Sequence, residues 1–422
     1  MSHADTASLQ GLRVPLATLL GGVALLVVGV GLLFSTLGLR AGLEGFPTVV
    51  TGLVTSAYFA GFVLGTRICP LLIRRVGHVR AFAALASLAS TMPILHALWV
   101  APAWWALLRG LTGVCLVGLY IVVESWLNVL AAPAQRGRVF SLYLAVSGLA
   151  MALGQGLLLV GDRLGFVPFA LVSVLLSFAL LPLTLTPVIE PEPLPAPRLG
   201  LRALYRLSPL GLAGAFGSGA LAGALYGLGA VFVQRLGHGD AAAAGFMASA
   251  ILGGALFQWP IGQWSDRHDR RLVLLAAAVG IALLAGAGFV LVRLWPAALV
   301  PLGFAIGALL FALYGLSAAH VNDLVEPGRA LEASGGLLLV HGAGAALGPT
   351  LAGALMAALG PGSLLLYFAG VAALLAAYTL QRMRAAPAVP AQDKTGFVPM
   401  GDVGPAALHL DPRISRFPDE RT

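Results

Sequence analysis

Twelve apolar stretches of membrane-spanning length, split six and six by a proline-rich segment, constrain this chain more than any other feature of its sequence. A helix needs about 20 apolar residues to cross the hydrocarbon core of a bilayer, and inside that core its backbone groups have to pair within the segment. Runs of this kind are read at Val14 to Leu37, Phe46 to Gly65, Ala81 to Val100, Pro102 to Val123, Val139 to Val160 and Phe166 to Leu185. The second half repeats the pattern at Leu210 to Val233, Ala241 to Ile261, Leu272 to Val292, Ala297 to Ala318, Gly335 to Leu359 and Leu364 to Leu380. With 59% hydrophobic and 10% charged residues the chain has too little polar surface to face water, so lipid is its main solvent.

The formal charge of +8, from 25 Lys and Arg against 17 Asp and Glu, fits nucleic acid, anionic lipid or membrane topology equally well. Position decides among them. The groups Arg13, Arg67 to Arg80, Arg136 and Arg138, Arg198 to Arg206, Arg267 to Arg271, Arg329, and Arg382 with Arg384 fall in alternate loops. The remaining loops hold only Arg40, Arg163, Arg235 and Arg293. The positive-inside rule then places both termini in the cytoplasm and leaves nucleic acid no part. The opening MSHADTASLQGLR lacks the marks of a removable signal, so the first span is expected to stay. Cys69 and Cys115 are too few for a disulfide framework or a metal site and read as packing residues.

These observations predict an all-α membrane protein with twelve transmembrane helices in two pseudo-symmetric six-helix bundles. The first bundle is expected over 1–187, a cytoplasmic linker over 188–208, the second bundle over 209–382, and a disordered cytoplasmic tail over 383–422. The linker EPEPLPAPRLGLRALYRLS cannot be one helix because of its prolines. Its second part sets Arg198, Arg202 and Arg206 beside Leu201, Leu204 and Tyr205, a pattern suited to an anionic surface.

The loop after the eighth run reads Gly262-Gln-Trp-Ser-Asp266-Arg267-His-Asp269-Arg270-Arg271. It resembles the loop motif of the major facilitator superfamily: glycine, three residues, Asp, Arg or Lys, one residue, glycine, then further basic residues. Asp269 stands where the family has its second glycine. The first-half copy, Pro70 to Arg80, keeps Gly77 but has Arg74 in place of the acidic residue. In span four, Arg109 followed four residues on by Gly113 resembles another motif of the superfamily. Gly344-Ala-Ala-Leu-Gly348-Pro349 resembles its antiporter motif, displaced to span eleven. Glu124-Ser-Trp-Leu-Asn128, Arg75 to Phe82 and the tail's Phe397-Val-Pro-Met400 are together similar to a bacterial subgroup of undefined substrate.

The resemblance implies a secondary active transporter of the bacterial inner membrane that works by alternating access and moves a small amphipathic or anionic metabolite or drug. The proton is a candidate coupling ion, and the chain is expected to act as a monomer without a cofactor or metal. The alternative is a sensor or binding protein of the same fold that does not transport. No HExxH motif occurs and the eight histidines are scattered, so an intramembrane metalloenzyme is not expected.

Candidates for the substrate or proton pathway are Arg109, Gln155, Tyr226, Gln258, Tyr314 and His341. All are polar groups within apolar runs, where an ionisable side chain needs a partner or a water-filled cavity. A conformational latch is expected from Arg74 or Arg75 with Glu124, and from Asp266, Arg267, Arg270 and Asp323, through ion pairs that hold one conformation closed.

Overall fold

A computed structural model describes residues 3–132, 135–162, 165–185, 200–326, 329–385, 387–390, 392 and 394–398. Among the described residues the regular structure is helical, without strands. The first half comprises α1 (His3–Leu43), α2 (Thr48–Val76), α3 (His78–Leu98), α4 (Pro102–Leu130), α5 (Arg136–Gly156), α6 (Val167–Phe178) and α7 (Leu180–Leu185). A short α8 (Leu201–Leu207) leads into α9 (Pro209–Arg235), α10 (Asp240–Arg267) and α11 (Arg270–Leu294). The chain continues through α12 (Leu299–Leu310), α13 (Ala312–Asn322), α14 (Ala330–Leu359) and α15 (Ser363–Ala385). Eleven helical segments are long and apolar enough to cross a bilayer, α12 and α13 counting as one, and Val167–Pro182 is a shorter apolar helix in the place of the sixth run. The architecture is the expected twelve-helix one.

Several helices outrun the apolar stretches that predict them. Span two, read to Gly65, continues to Val76, and span four, read to Val123, continues to Leu130. Helix hydrogen bonds are made by the backbone, so a helix continues past the lipid edge until a residue stops it. Gly77 does this for α2: its φ of 85° lies in the left-handed region, and its N–H closes the helix on the Ile73 carbonyl. The second-half copy of this turn needs no glycine. Asp269 has a φ of −57° and caps α11, its carboxylate accepting the Arg271 N–H at 3.0 Å. Of the linker, 188–199 lie outside the described residues. In α8, Leu204 is buried while Leu201, Arg202 and Tyr205 are exposed, and Ser208 caps α9 by accepting the Gly211 N–H at 3.1 Å.

The same helix pairs recur in both halves. α2 packs on α4 as α10 packs on α12, α1 on α5 as α9 on α14, and α3 on α6 as α11 on α15. Lipid gives helices no hydrophobic reason to associate, so close backbone approach has to supply the attraction. Glycines provide it in matching places. A Cβ at Gly61 would strike the Gly110 carbonyl on α4, and one at Gly253 the Phe304 carbonyl on α12; Gly154 meets Val28 on α1, and Gly348 meets Ala220 on α9. Between the halves, α2 packs on α14, α5 on α10 and α1 on α9. The pairing that exchanges the halves turns the α2–α14 seam into the α5–α10 seam, which places the pseudo-two-fold axis between them.

Candidate functional site

At the end of the molecule away from the arginine-rich loops the halves are joined. Thr48 donates to the Gly353 carbonyl at 2.8 Å, Ser56 and Thr350 share a 2.8 Å hydrogen bond, and Arg235 donates to the Phe46 carbonyl at 2.9 Å. Between this closed end and the basic end lies a cavity of about 1330 Å³, counting the space that runs out through its mouth. Both halves build it, from α1, α2, α4 and α5 on one side and α9, α10, α14 and Phe311 on the other.

The wall is aromatic. Tyr58 and Phe62, one turn apart on α2, have ring centroids 6.2 Å apart, and Phe62 reaches Tyr120 at 6.3 Å. Phe34 of α1 lies 4.8 Å from Tyr58 and crosses to the second half at Tyr226, 5.6 Å away, which in turn meets Phe311 at 5.8 Å. Edge-on and tilted contacts of this kind stabilise a rigid aromatic wall. Polar groups are few: Thr66, Ser147, Gln258, His341 and the hydroxyls of Tyr58, Tyr120 and Tyr226, with no Asp, Glu, Lys or Arg among the described residues of the lining. His341 is held by Ser218 through a 3.0 Å bond to Nδ1, and Gln258 donates to the Phe311 carbonyl at 3.2 Å.

The six pathway candidates divide. Tyr226, Gln258 and His341 line the cavity, and Tyr314 packs at a tilt against His341 with centroids 4.6 Å apart. Arg109 does not reach the cavity. It is 2% exposed and sits behind the wall, its guanidinium 4.4 Å from the Phe34 ring centroid and 4.3 Å from that of Tyr58, with Nη1 lacking any hydrogen-bond partner. Gln155 is likewise absent from the lining. It accepts from Ser35 at 2.5 Å and donates to the Gly31 carbonyl at 3.0 Å, tying α5 to α1 where the close approach of Gly154 brings them together. The aromatic lining went unread in the sequence, although Tyr58, Phe59, Phe62 and Thr66 recur at helical spacing on α2 and carry the signal.

The expected latches need correction. Arg74 and Arg75 are exposed at the end of α2, whereas Glu124 is fully buried within α4 and accepts the Tyr143 hydroxyl at 3.0 Å. In this conformation, open at the basic end, neither arginine is paired with it. In the second half Asp266, Arg270 and Asp323 do come together. Arg270 Nε meets Asp323 Oδ2 at 2.5 Å and its Nη1 meets Asp266 Oδ1 at 2.8 Å and Ser265 Oγ at 2.9 Å. All four belong to one half, so the cluster does not bridge the two halves, and Arg267 points outward, exposed. Beside them Asp269 pairs with Arg271 at 2.8 Å. Burial pushes its carboxyl up, but the Arg271 hydrogen bonds and charge outweigh that and hold it below the usual carboxylate range.

The tail supplies the cluster's other partner. Thr395 donates to Asp323 Oδ1 through its N–H at 2.8 Å and its hydroxyl at 2.9 Å, and Arg270 donates to the Thr395 carbonyl. The Phe397 N–H donates to the Asp266 carboxylate at 3.0 Å, and Lys394 reaches the His268 carbonyl. The expectation of a structureless tail therefore fails at Lys394 to Val398, where Asp266 on α10, Arg270 on α11 and Asp323 just past α13 supply charged partners.

A family model described as Major Facilitator Superfamily matches residues 238–410. An uncharacterized MFS-type transporter of Enterobacter sp. (strain 638) is 32% identical over 81% of this chain and 89% of its own length. The uncharacterized MFS-type transporter YcaD of Salmonella newport is 30% identical over the same shares. Among solved structures, the nucleoside transporter NupG superposes with a TM-score of 0.75 at 16% identity, covering 88% of this chain and 99% of that one. A bacterial homolog of the human lysosomal transporter Spinster, inward-facing and occupied, gives 0.69 at 17% identity, covering 90% and 97%. At such identities the structures speak to the fold alone.

Proposed function

The chain belongs to the major facilitator superfamily of transporters, and from that premise we propose that it carries a small, flat-sided amphipathic molecule, neutral or anionic, across the bacterial inner membrane by alternating access. The carrying observation is the cavity on the pseudo-two-fold axis, with an aromatic wall shared by both halves and a lining that, among the described residues, holds no Asp, Glu, Lys or Arg. Apolar surface and π-faces would bind the body of the cargo, while Gln258, Ser147 and His341 would orient one polar end. A sugar would leave most of its hydroxyls unpaired against such a wall, at a cost of about 1–3 kcal/mol each.

Arg109 sets the preferred sign of charge without touching the cargo. Its positive charge is buried behind Phe34 and Tyr58. At an effective dielectric constant of about 20, a unit charge roughly 8 Å away still feels about 2 kcal/mol, which disfavours cations and favours anions. With the basic end taken as cytoplasmic, the hydrogen bonds at the opposite end make this the inward-facing conformation, and rocking about the α2–α14 and α5–α10 seams would open the other side. His341 is the side chain of the lining best suited to carry a coupled proton.

The test is uptake by purified protein in proteoliposomes of three planar probes: neutral Nile red, anionic anilinonaphthalene sulfonate and cationic ethidium. Protein-dependent movement of the neutral and anionic probes, reduced at least tenfold by Tyr226→Ala, is expected. Saturable binding without movement would make the chain a sensor of the same fold, and preference for ethidium would refute the charge reading.

A further inference from the structure

We propose that residues Thr395 to Val398 are an intrachain strap, a tethered peptide seated in a groove of the second half, that holds the present conformation and has to leave before the basic end can close. The inference rests on the two-state reading above and adds a brake to it.

The seat is built for this segment in three ways. Asp323 has a side chain that is 0% exposed, and besides Arg270 its acceptor capacity is taken up by the N–H and hydroxyl of Thr395. Asp266, on the motif that resembles the superfamily's loop motif, spends its carboxylate on the Phe397 N–H. The Phe397 ring then fills a slot between α10 and α13 that exists because both walls are glycine there. A Cβ on Gly262 would collide with the ring, and one on Gly315 would lie 2.9 Å from Phe397 Cζ. Val398 is buried as well, 7% exposed. A loosely trailing tail would not find carboxylates for its N–H groups, a guanidinium for its carbonyl and a ring-shaped slot in register.

Position gives the strap its consequence. The Cβ site on Gly315 that touches Phe397 is also 3.7 Å from Gln258 Nε2, and Gln258 lines the cavity, so the ring sits against the cavity wall on the basic side. α10 is the helix through which the second half meets α5 of the first. While the strap is seated, Asp266 and Arg270 are occupied by the tail and unavailable to the other half. A segment tethered about ten residues from the end of α15 has an effective concentration on the order of millimolar, so an intrinsic affinity tighter than that keeps it seated unless something competes. Closure of the basic end supplies the competition, and the strap slows it.

The experiment follows the two ends by spin-label distances in proteoliposomes and so needs no cargo. Labels at the exposed positions Val129 and Leu324 report the basic end. Compared with the full chain, Phe397→Ala and a chain ending at Ala385 are expected to raise the closed-basic-end population at least threefold. A synthetic peptide of residues 393–402 added to the truncated chain should reverse the change, and the same peptide with Phe397→Ala should not. As a control, Ser56→Ala with Thr350→Val weakens the opposite end and shifts the same distances whether or not the strap exists. If the control shifts and the tail variants match the full chain, the strap is wrong and the two-state reading stands; if the control is also silent, the two-state reading falls with it.

Discussion

Arg109 shows how much a single residue's meaning depends on neighbours from other helices. A charge at that depth flags itself in the sequence, because burial there is costly. What cannot be read from the sequence is that Phe34 and Tyr58, from two different helices, come between it and the cavity. Two cation–π contacts at a desolvated site are worth about 2 kcal/mol each. Arg109→Ala is therefore expected to lower the melting temperature of the purified protein by several degrees, with Arg109→Lys in between because an ammonium cannot lie flat on two rings. The same alanine variant should reduce the anionic-to-cationic uptake ratio in proteoliposomes severalfold while leaving neutral cargo moving. Unchanged melting and selectivity would show the arginine to be idle. Asp269 offers a smaller case. Losing its cap on α11 in Asp269→Ala should cost about 1 kcal/mol in denaturation. Because its folded carboxyl titrates lower than an unfolded one, that contribution is complete above about pH 4 and fades only as the pH falls through the folded value.

At the scale of helices, the seams make the sharpest demands. Gly348→Leu drives a side chain into the Ala220 carbonyl on α9 and should abolish monodisperse, folded protein in size-exclusion chromatography. Gly370→Leu, with nothing within 4 Å of its Cβ site, should behave as wild type. The spans themselves were legible, since length and hydropathy are local properties of the chain. Their ends were not, because a helix such as α4 continues through Glu124 to Leu130 on backbone hydrogen bonds that hydropathy does not register. The cluster of Asp266, Arg270 and Asp323 was legible as chemistry, but its partner was not. Thr395 and Phe397 lie more than 70 residues beyond Asp323, in a stretch whose composition reads as solvated.

At the scale of the whole molecule, the arginine asymmetry makes the membrane orientation testable. Impermeant maleimide applied to intact cells should label Gly239→Cys and spare Thr395→Cys, with the buried Cys69 and Cys115 leaving the background quiet. The reverse pattern would invert the molecule and turn the present conformation outward-facing. The neutral lining of the cavity has a thermodynamic consequence of its own. For a neutral cargo, a carrier that presents the same uncharged walls to either side and couples to no second solute can only level a gradient. Accumulation driven by a proton gradient requires that some group change protonation between the two exposures, and among the described lining residues the group suited to that is His341. With an imposed pH gradient, the steady-state ratio of cargo inside to outside should exceed one for the native chain and relax to one for His341→Gln, even if the initial rates of the two are alike.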